Sequence, residues 1–234
     1  MATPILTMPI LLSPTDLNAN PKLTNHIAVL ANAAFTRSQE ADPEKWYLPS
    51  IRFPDTQSLL DMLGPRGVMA VMLDEAHVEG EEVPFVEAVD GDGQVRKGRL
   101  VACAAAVPWR GGWSKEGAQT EKGWEIKAVC VDGDARFLKR GLAVKLLGSL
   151  EECLVGKERE ALRQSALDGA SCGSGDGRRK GVLSLWILAA ECINGAYWRK
   201  RGYEAVRKSV HSGIWSCKTS FEMVVLRRDV EFEM

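Results

Sequence analysis

Residues 136 to 143 of this 234-residue chain read RFLKRGLA, which sets Arg136, Lys139 and Arg140 around Gly141, with the small Ala143 two places on. A helix start leaves main-chain N–H groups without intrahelical partners and carries partial positive charge. A glycine there lets the backbone come close to a phosphate, so Leu138, Lys139, Arg140, Gly141, Leu142 and Ala143 are candidates for an anion cradle made of main-chain amides. A plain strand-to-helix turn with solvated bases would have the same composition. The second chemistry-bearing stretch, residues 194 to 203, reads NGAYWRKRGY and holds Asn194, Tyr197 and Trp198. A phenol can give up a proton, whereas an indole N–H donates a hydrogen bond but is no practical acid at neutral pH. Packing against a sheet is the plain alternative for both aromatics.

The elements that must position these groups follow from hydrophobic spacing. Residues 25 to 35 place Ile27, Leu30, Ala31 and Ala34 at helical intervals, and residues 56 to 63 form a second helix stopped by Gly64-Pro65. The apolar runs 67 to 73 and 99 to 107 fit buried strands, and the acidic, turn-rich residues 74 to 98 between them fit a hairpin connection or an excursion loop. Residues 124 to 131, WEIKAVCV, form the next strand, and the polar loop 132 to 140 leads to a helix beginning at Gly141 whose stripe is Ala143, Leu146, Leu147, Leu150 and Leu154. Residues 157 to 180 begin as helix and dissolve into a Gly/Ser/Asp tract, which reads as a flexible surface insertion. Residues 182 to 190 are apolar enough for an interior strand; a short helix over 194 to 201 ends at Gly202, and strands follow near 203 to 206 and 221 to 226.

A 45% hydrophobic and 26% charged chain of this length is expected to fold as a single α/β domain spanning 1 to 234, with residues 1 to 22 as an N-terminal extension. Lys and Arg number 30 against 31 for Asp and Glu, so nucleic acid and anionic membranes are not expected partners, and any anion must meet a local cluster of bases. The six cysteines include no Cys-x-x-Cys pair and several lie in apolar runs, which predicts reduced thiols and a cytoplasmic or nuclear location. The opening residues are broken by Pro4, Pro9 and Pro14 and lack a basic start, arguing against a signal peptide or anchor.

The sequence resembles the GNAT superfamily of acetyl-CoA-dependent N-acyltransferases at two places. The family's pyrophosphate loop, (Gln/Arg)-x-x-Gly-x-(Gly/Ala) after a strand ending in Val or Ile, is matched by Gly141-Leu142-Ala143, with Leu138 at the first position. Its later block, an Asn ahead of Tyr-x-x-x-Gly-(Phe/Tyr), is matched by Asn194, Gly202 and Tyr203, with Trp198 at the tyrosine place and Tyr197 one step earlier. One helical step turns a side chain by about 100°, so Tyr197 could reach the same point only through a shifted register; otherwise solvent protonates the leaving thiolate. The resemblance covers about residues 28 to 226.

That resemblance implies a mixed, mostly antiparallel central sheet flanked by helices, with splayed fourth and fifth strands. It implies acetyl transfer from acetyl-CoA to a primary amine in a ternary complex, without a metal. The backbone of Val129, Cys130 and Val131 would line the pantetheine arm, with an N–H near Val131 facing the thioester oxygen. Residues 138 to 143 would take the pyrophosphate, and Arg199, Lys200 or Arg136 the outer phosphate. Asn194, Tyr197 and Trp198 would adjoin the cofactor. Glu125, six residues before Val131, is the candidate base, on the same side by alternation as Lys127, Val129 and Val131; a structural pair with Lys127 is the alternative. His211 is a second candidate base or an ordinary loop residue. Residues 35 to 47, with Glu40, Asp42 and Glu44, and the surroundings of Trp215 are the expected acceptor side. A monomer or homodimer is expected. A non-catalytic acyl-CoA-binding module is the competing reading, motivated by Trp198 and Leu138.

Overall fold

The computed structural model describes residues 3–76, 84–168 and 180–233. Ser13 caps α1 (Pro14–Ala19) by a reciprocal pair with Asp16, and Asn20 caps α2 (Pro21–Gln39), whose first turn accepts Pro21 because its N–H would be orphaned anyway. α3 (Thr56–Leu63) opens on an Asp55/Ser58 capping pair and stops at left-handed Gly64. The strands are β1 (Ile10–Leu12), β2 (Val68–Asp74), β3 (Val86–Val89), β4 (Val95–Pro108), β5 (Trp124–Val131), β6 (Lys180–Ala190), β7 (Glu204–His211) and β8 (Phe221–Glu233). They form one sheet in the order β1-β2-β4-β5-β6-β8-β7, with β3 paired to β4. Every pairing is antiparallel except β5 with β6.

Several boundaries depart from those expected. Residues 10 to 19 are built into the fold as an edge strand and a helix, because Ile10, Leu12 and Leu17 are buried against the α2 face. The 74 to 98 connection contains β3, a short excursion hairpin on β4; residues 77–83 lie outside the described residues. Residues 157 to 168 continue α4 (Leu142–Asp168), and the rest of the expected insertion, 169 to 179, lies outside the described residues. The buried stripe of α4 is Leu142, Leu146, Leu150 and Leu154, one turn apart, rather than one centred on Ala143.

Two cores cover the two faces. On one, α4 packs over Ala102, Ala104, Trp124, Ile126 and Leu185; on the other, α1 to α3 pack over Cys103, Ala105, Ala128 and Cys130. The small side chains of β4 let both helical layers approach the sheet.

The feature that matters for function is the end of the β5–β6 pairing. Only Trp124 with Leu185 and Glu125 with Trp186 stay in register; beyond them the strands part. The closed end is clamped by stacked Trp109 and Trp186 rings (4.8 Å, 3°), by the Trp186 indole N–H donating to the Lys122 carbonyl (2.8 Å), and by Gly123. Gly123 has φ 118, and a Cβ there would stand 2.1 Å from the Ser184 carbonyl oxygen. Gly123→Ala is therefore expected to cost about 2–4 kcal/mol, from backbone strain plus overpacking against main chain that cannot move aside. Chemical denaturation checks this: an unchanged midpoint would show that the closed end of the gap does not depend on that close approach.

Candidate active site

A β-bulge decides which side chains of β5 face which helices. The β4–β5 register slips between Cys103 and Ala105, and Ala128 on the bulged strand has φ 48, a left-handed conformation uncommon for alanine. The alternation expected from sequence therefore breaks. Glu125 and Lys127 stay on the α2 face with Ala128 and Cys130, while Val129 and Val131 move to the α4 face. Glu125 is not on the same side as Val129 and Val131, because the extra residue inverts the phase of everything after it.

Main-chain direction follows the new phase. The Asp132 N–H donates to the Val101 carbonyl (2.8 Å), so Cys130 also faces β4, and Val129 and Val131 turn their main-chain groups to the gap. Cys130 is thereby placed apart from the gap, paired with Cys103, its thiol buried against α2. One gap-facing group is already taken: the Arg37 guanidinium of α2 donates to the Val131 carbonyl (2.6 Å). The Val131 N–H and both main-chain groups of Val129 lie on the gap side of β5, beyond the last β5–β6 pair.

The loop from β5 to α4 is held from below. Phe137 is buried, Arg99 pairs with Asp132 (2.8 Å), and Arg136 pairs with Asp134 (2.7 Å), holding that carboxyl below its ordinary pKa. This Asp-Arg-Phe turn accounts for the length of the loop and commits Arg136 to Asp134. Above it, Lys139 (φ 59) and Gly141 (φ 76) are both left-handed. The first helical bond runs from the Lys145 N–H to the Gly141 carbonyl (3.0 Å), and among the described residues the N–H groups of 139 to 144 meet no protein acceptor. A Cβ on Gly141 would meet nothing within 4 Å, so the space in front of these amides is open. Leu138, Lys139 and Arg140 are exposed and Leu142 is buried beneath. The geometry suits a phosphate group: unpaired donors, left-handed residues and a helix start at one point.

The second block has an irregularity of its own. Residues Glu191–Gly195 form a π-helical turn before α5 (Ala196–Arg199). With this register Trp198, rather than Tyr197, lines the gap. Tyr197 stands edge-on to Trp198 (5.0 Å) with the Arg201 guanidinium 3.4 Å over its ring, and burial raises its phenol pKa above the ordinary value. Arg199 is committed to Glu191 by two 2.6 Å hydrogen bonds, so it is not a loose cation for a phosphate. Lys200 lines a groove between α4 and the end of α5.

A cleft runs through the gap, with Ile126, Val129, Asn194 and Trp198 toward α4 and Phe35, Gln39, Arg52, Trp113, Glu125, Lys127 and Trp215 toward α2. Among the described residues, three buried atoms on its lining residues have no hydrogen-bond partner: Gln39 Oε1, Asn194 Oδ1 and Trp198 Nε1. Buried polar atoms are nearly always satisfied, so these three are open to a ligand or to water, as are Tyr197 Oη, Arg201 Nε and Arg228 Nε away from the cleft. Glu125 is buried and accepts from Lys127 Nζ through Oε1 (2.7 Å). His211 lies off the cleft, bonded to Ser209 (2.7 Å) and edge-on to Trp113. Glu40, Asp42 and Glu44 are exposed and do not line the cleft, unlike Phe35 and Gln39 in the same stretch.

Two lining residues escaped sequence reasoning. Arg52 follows the α2 layer in a stretch bounded by Pro49 and Pro54, and Trp113 sits in a Gly-rich loop; neither has a motif, and only an arginine between Ile51 and Phe53 hints at a cation held in apolar company. Among the described residues no His, Cys, Asp or Glu cluster could hold a metal, and no helix is long and apolar enough to cross a membrane.

No family model matches the chain, and no curated protein matches it by sequence. Similar solved structures include a GCN5-related N-acetyltransferase from Kribbella flavida (14% identity, 95% of this chain and 98% of that one, TM-score 0.45). An acetyltransferase of the GNAT family from Streptococcus pneumoniae is 10% identical over 95% of this chain and 99% of its own, TM-score 0.44. NAA60 of Arabidopsis thaliana, in complex with acetyl-CoA, is 12% identical over 97% and 99%, TM-score 0.40. These structures are what the chain is similar to; its own described residues form a mixed, mostly antiparallel sheet, with one parallel pair parting at β5 and β6 and helices on both faces.

Proposed function

We propose that the protein is an N-acetyltransferase that passes an acetyl group from acetyl-CoA to a primary amine by direct attack within a ternary complex. The observation that carries this reading is the open main-chain edge of β5 at Val129 and Val131, which leads along the parted strands to the unpaired amides of residues 139 to 144. A substrate with a pyrophosphate at one end and amide groups along its arm matches both ends of that path.

In this reading Lys139, Arg140, Gly141, Leu142 and Ala143 hold the pyrophosphate through main-chain N–H groups, Leu138 adjoins it by its exposed side chain because its own N–H is given to the Asp134 carbonyl, and Val129 and Val131 pair with the pantetheine amides. The Val131 N–H faces the thioester oxygen and stabilises negative charge developing on it. Glu125, on the opposite face, takes the proton that the attacking ammonium must lose; its Oε2 makes no hydrogen bond among the described residues. Asn194 Oδ1 and Trp198 Nε1 adjoin the arm and its sulfur. Tyr197 is turned away in this register, so the leaving thiolate takes its proton from solvent while the indole N–H of Trp198 donates a hydrogen bond to it.

Binding and turnover test the reading together. Acetyl-CoA should bind in calorimetry and release its thiol when amines are added; binding without release above background for any amine would favour the acyl-CoA-binding module instead. Within a working enzyme, Tyr197→Phe is expected to change kcat by less than about twofold, and Trp198→Phe to lower it about tenfold, the worth of one hydrogen bond to a charged group. The reverse order would return the proton-donor role to Tyr197.

A further inference from the structure

Arg52 is a cation with no direct ion pair among the described residues, and burial lowers its pKa. Its guanidinium makes no hydrogen bond among them either, although it is packed over the rings of Phe35 (4.7 Å to the centroid) and Trp215 (5.5 Å) and faces the cleft. A guanidinium does not lose its proton, so enclosing it in aromatic company without an anion costs free energy that a bound anion would offset. Glu125 is an opposing charge near enough to favour the charged guanidinium, but its direct ion pair is with Lys127, so one carboxylate is shared between two cations. The charged side chains lining the cleft are Arg52, Lys127 and Glu125, which leaves one positive charge over.

The positioning is deliberate. Trp215 (φ 52) and Ser216 (φ 64) are consecutive left-handed residues, a conformation that persists only where the surroundings over-determine it. They are held by Gln39 Nε2 donating to the Trp215 carbonyl (3.0 Å) and by the Tyr47 N–H donating to the Ser216 carbonyl (2.8 Å). The first of these bonds also fixes the Gln39 amide, leaving its Oε1 buried and in want of a donor. The α2 side of the cleft thus offers an unpaired cation, an unpaired acceptor, the Glu125 carboxylate, and aromatic walls from Phe35, Trp113 and Trp215.

We infer that the acceptor is a small amine that also carries a carboxylate, of the class of apolar or aromatic amino acids. The carboxylate is held by Arg52, and the amine lies toward Gln39 Oε1 and Glu125. The inference rests on the acetyltransferase reading for the reaction, but not for binding.

The test compares L-phenylalanine with L-phenylalaninamide, which keeps the amine and ring and removes the negative charge. Quenching of tryptophan fluorescence in the CoA-saturated protein reads binding, and thiol release from acetyl-CoA reads transfer. The acid is expected to bind at least about 10-fold more tightly than the amide and to show a correspondingly higher kcat/KM. In Arg52→Met, which keeps an apolar stem against Phe35 and Trp215, that preference should fall to about twofold or less, and Arg52→Lys should restore part of it. Equal binding of acid and amide by the wild-type protein, or binding of neither at millimolar concentration, overturns the inference whether or not the variants fold. Preferential binding of the acid without thiol release supports the acceptor site and counts against the transfer reading.

Discussion

Gly141→Asp is expected to weaken acetyl-CoA binding at least about 100-fold, or about 2.7 kcal/mol, in calorimetry. Two causes combine. Gly141 is left-handed (φ 76), a conformation that costs an ordinary side chain about 1–2 kcal/mol, and its missing Cβ opens toward the space in front of the unpaired 139 to 144 amides. A carboxylate placed there repels a pyrophosphate and offers the amides a competing acceptor. Gly141→Asn separates the causes, because asparagine tolerates the left-handed region and matches aspartate in shape without the charge. Its loss should be near tenfold. Since a Cβ at 141 meets no protein atom within 4 Å, neither variant disturbs packing, and the loss of stability without ligand should stay within the about 1–2 kcal/mol that the left-handed backbone costs. Unchanged affinity in Gly141→Asp would remove the cradle, and with it the assignment of residues 138 to 143.

The parts of the fold visible in the sequence are those set by local pattern. The strand over 124 to 131 is found with the expected bounds, since an apolar run ends at a turn built on Asp132 and Asp134. The helix beginning beside Gly141 is likewise found, because its leucines repeat each turn. What stayed hidden is where tertiary packing overrides pattern. The bulge at Ala128 puts a left-handed conformation on an alanine, without the glycine that would have advertised it, and so the face of Val129 and Val131 was assigned wrongly. The π-helical turn at Glu191–Gly195 likewise has no composition signature, although it sets which of two neighbouring aromatics reaches the gap. Arg52 was invisible for another reason: its meaning lies in what it fails to pair with, a property of the assembled cleft alone.

Glu125→Gln is expected to slow transfer by about 10² to 10⁴ at pH values below the pKa of the acceptor amine, the usual range for loss of a general base. The sign of its pH dependence follows from the amine. Below its pKa the amine is mostly ammonium and must give up a proton before it can attack, and the carboxylate supplies the route. As pH rises through that pKa, solvent removes the proton instead, so the ratio of wild-type to variant rates should shrink toward one. Glutamine preserves the shape of the buried side chain and can still accept from Lys127 Nζ, now 2.7 Å from Oε1, so folding and acetyl-CoA affinity should be kept. The bulge makes this outcome specific: it leaves Glu125 on the α2 face with the acceptor side of the cleft while turning Val129 and Val131 to the other. A base there meets the amine without competing for the thioester. If the rate ratio is instead flat with pH, Glu125 is a structural partner of Lys127, and the proton leaves by another path.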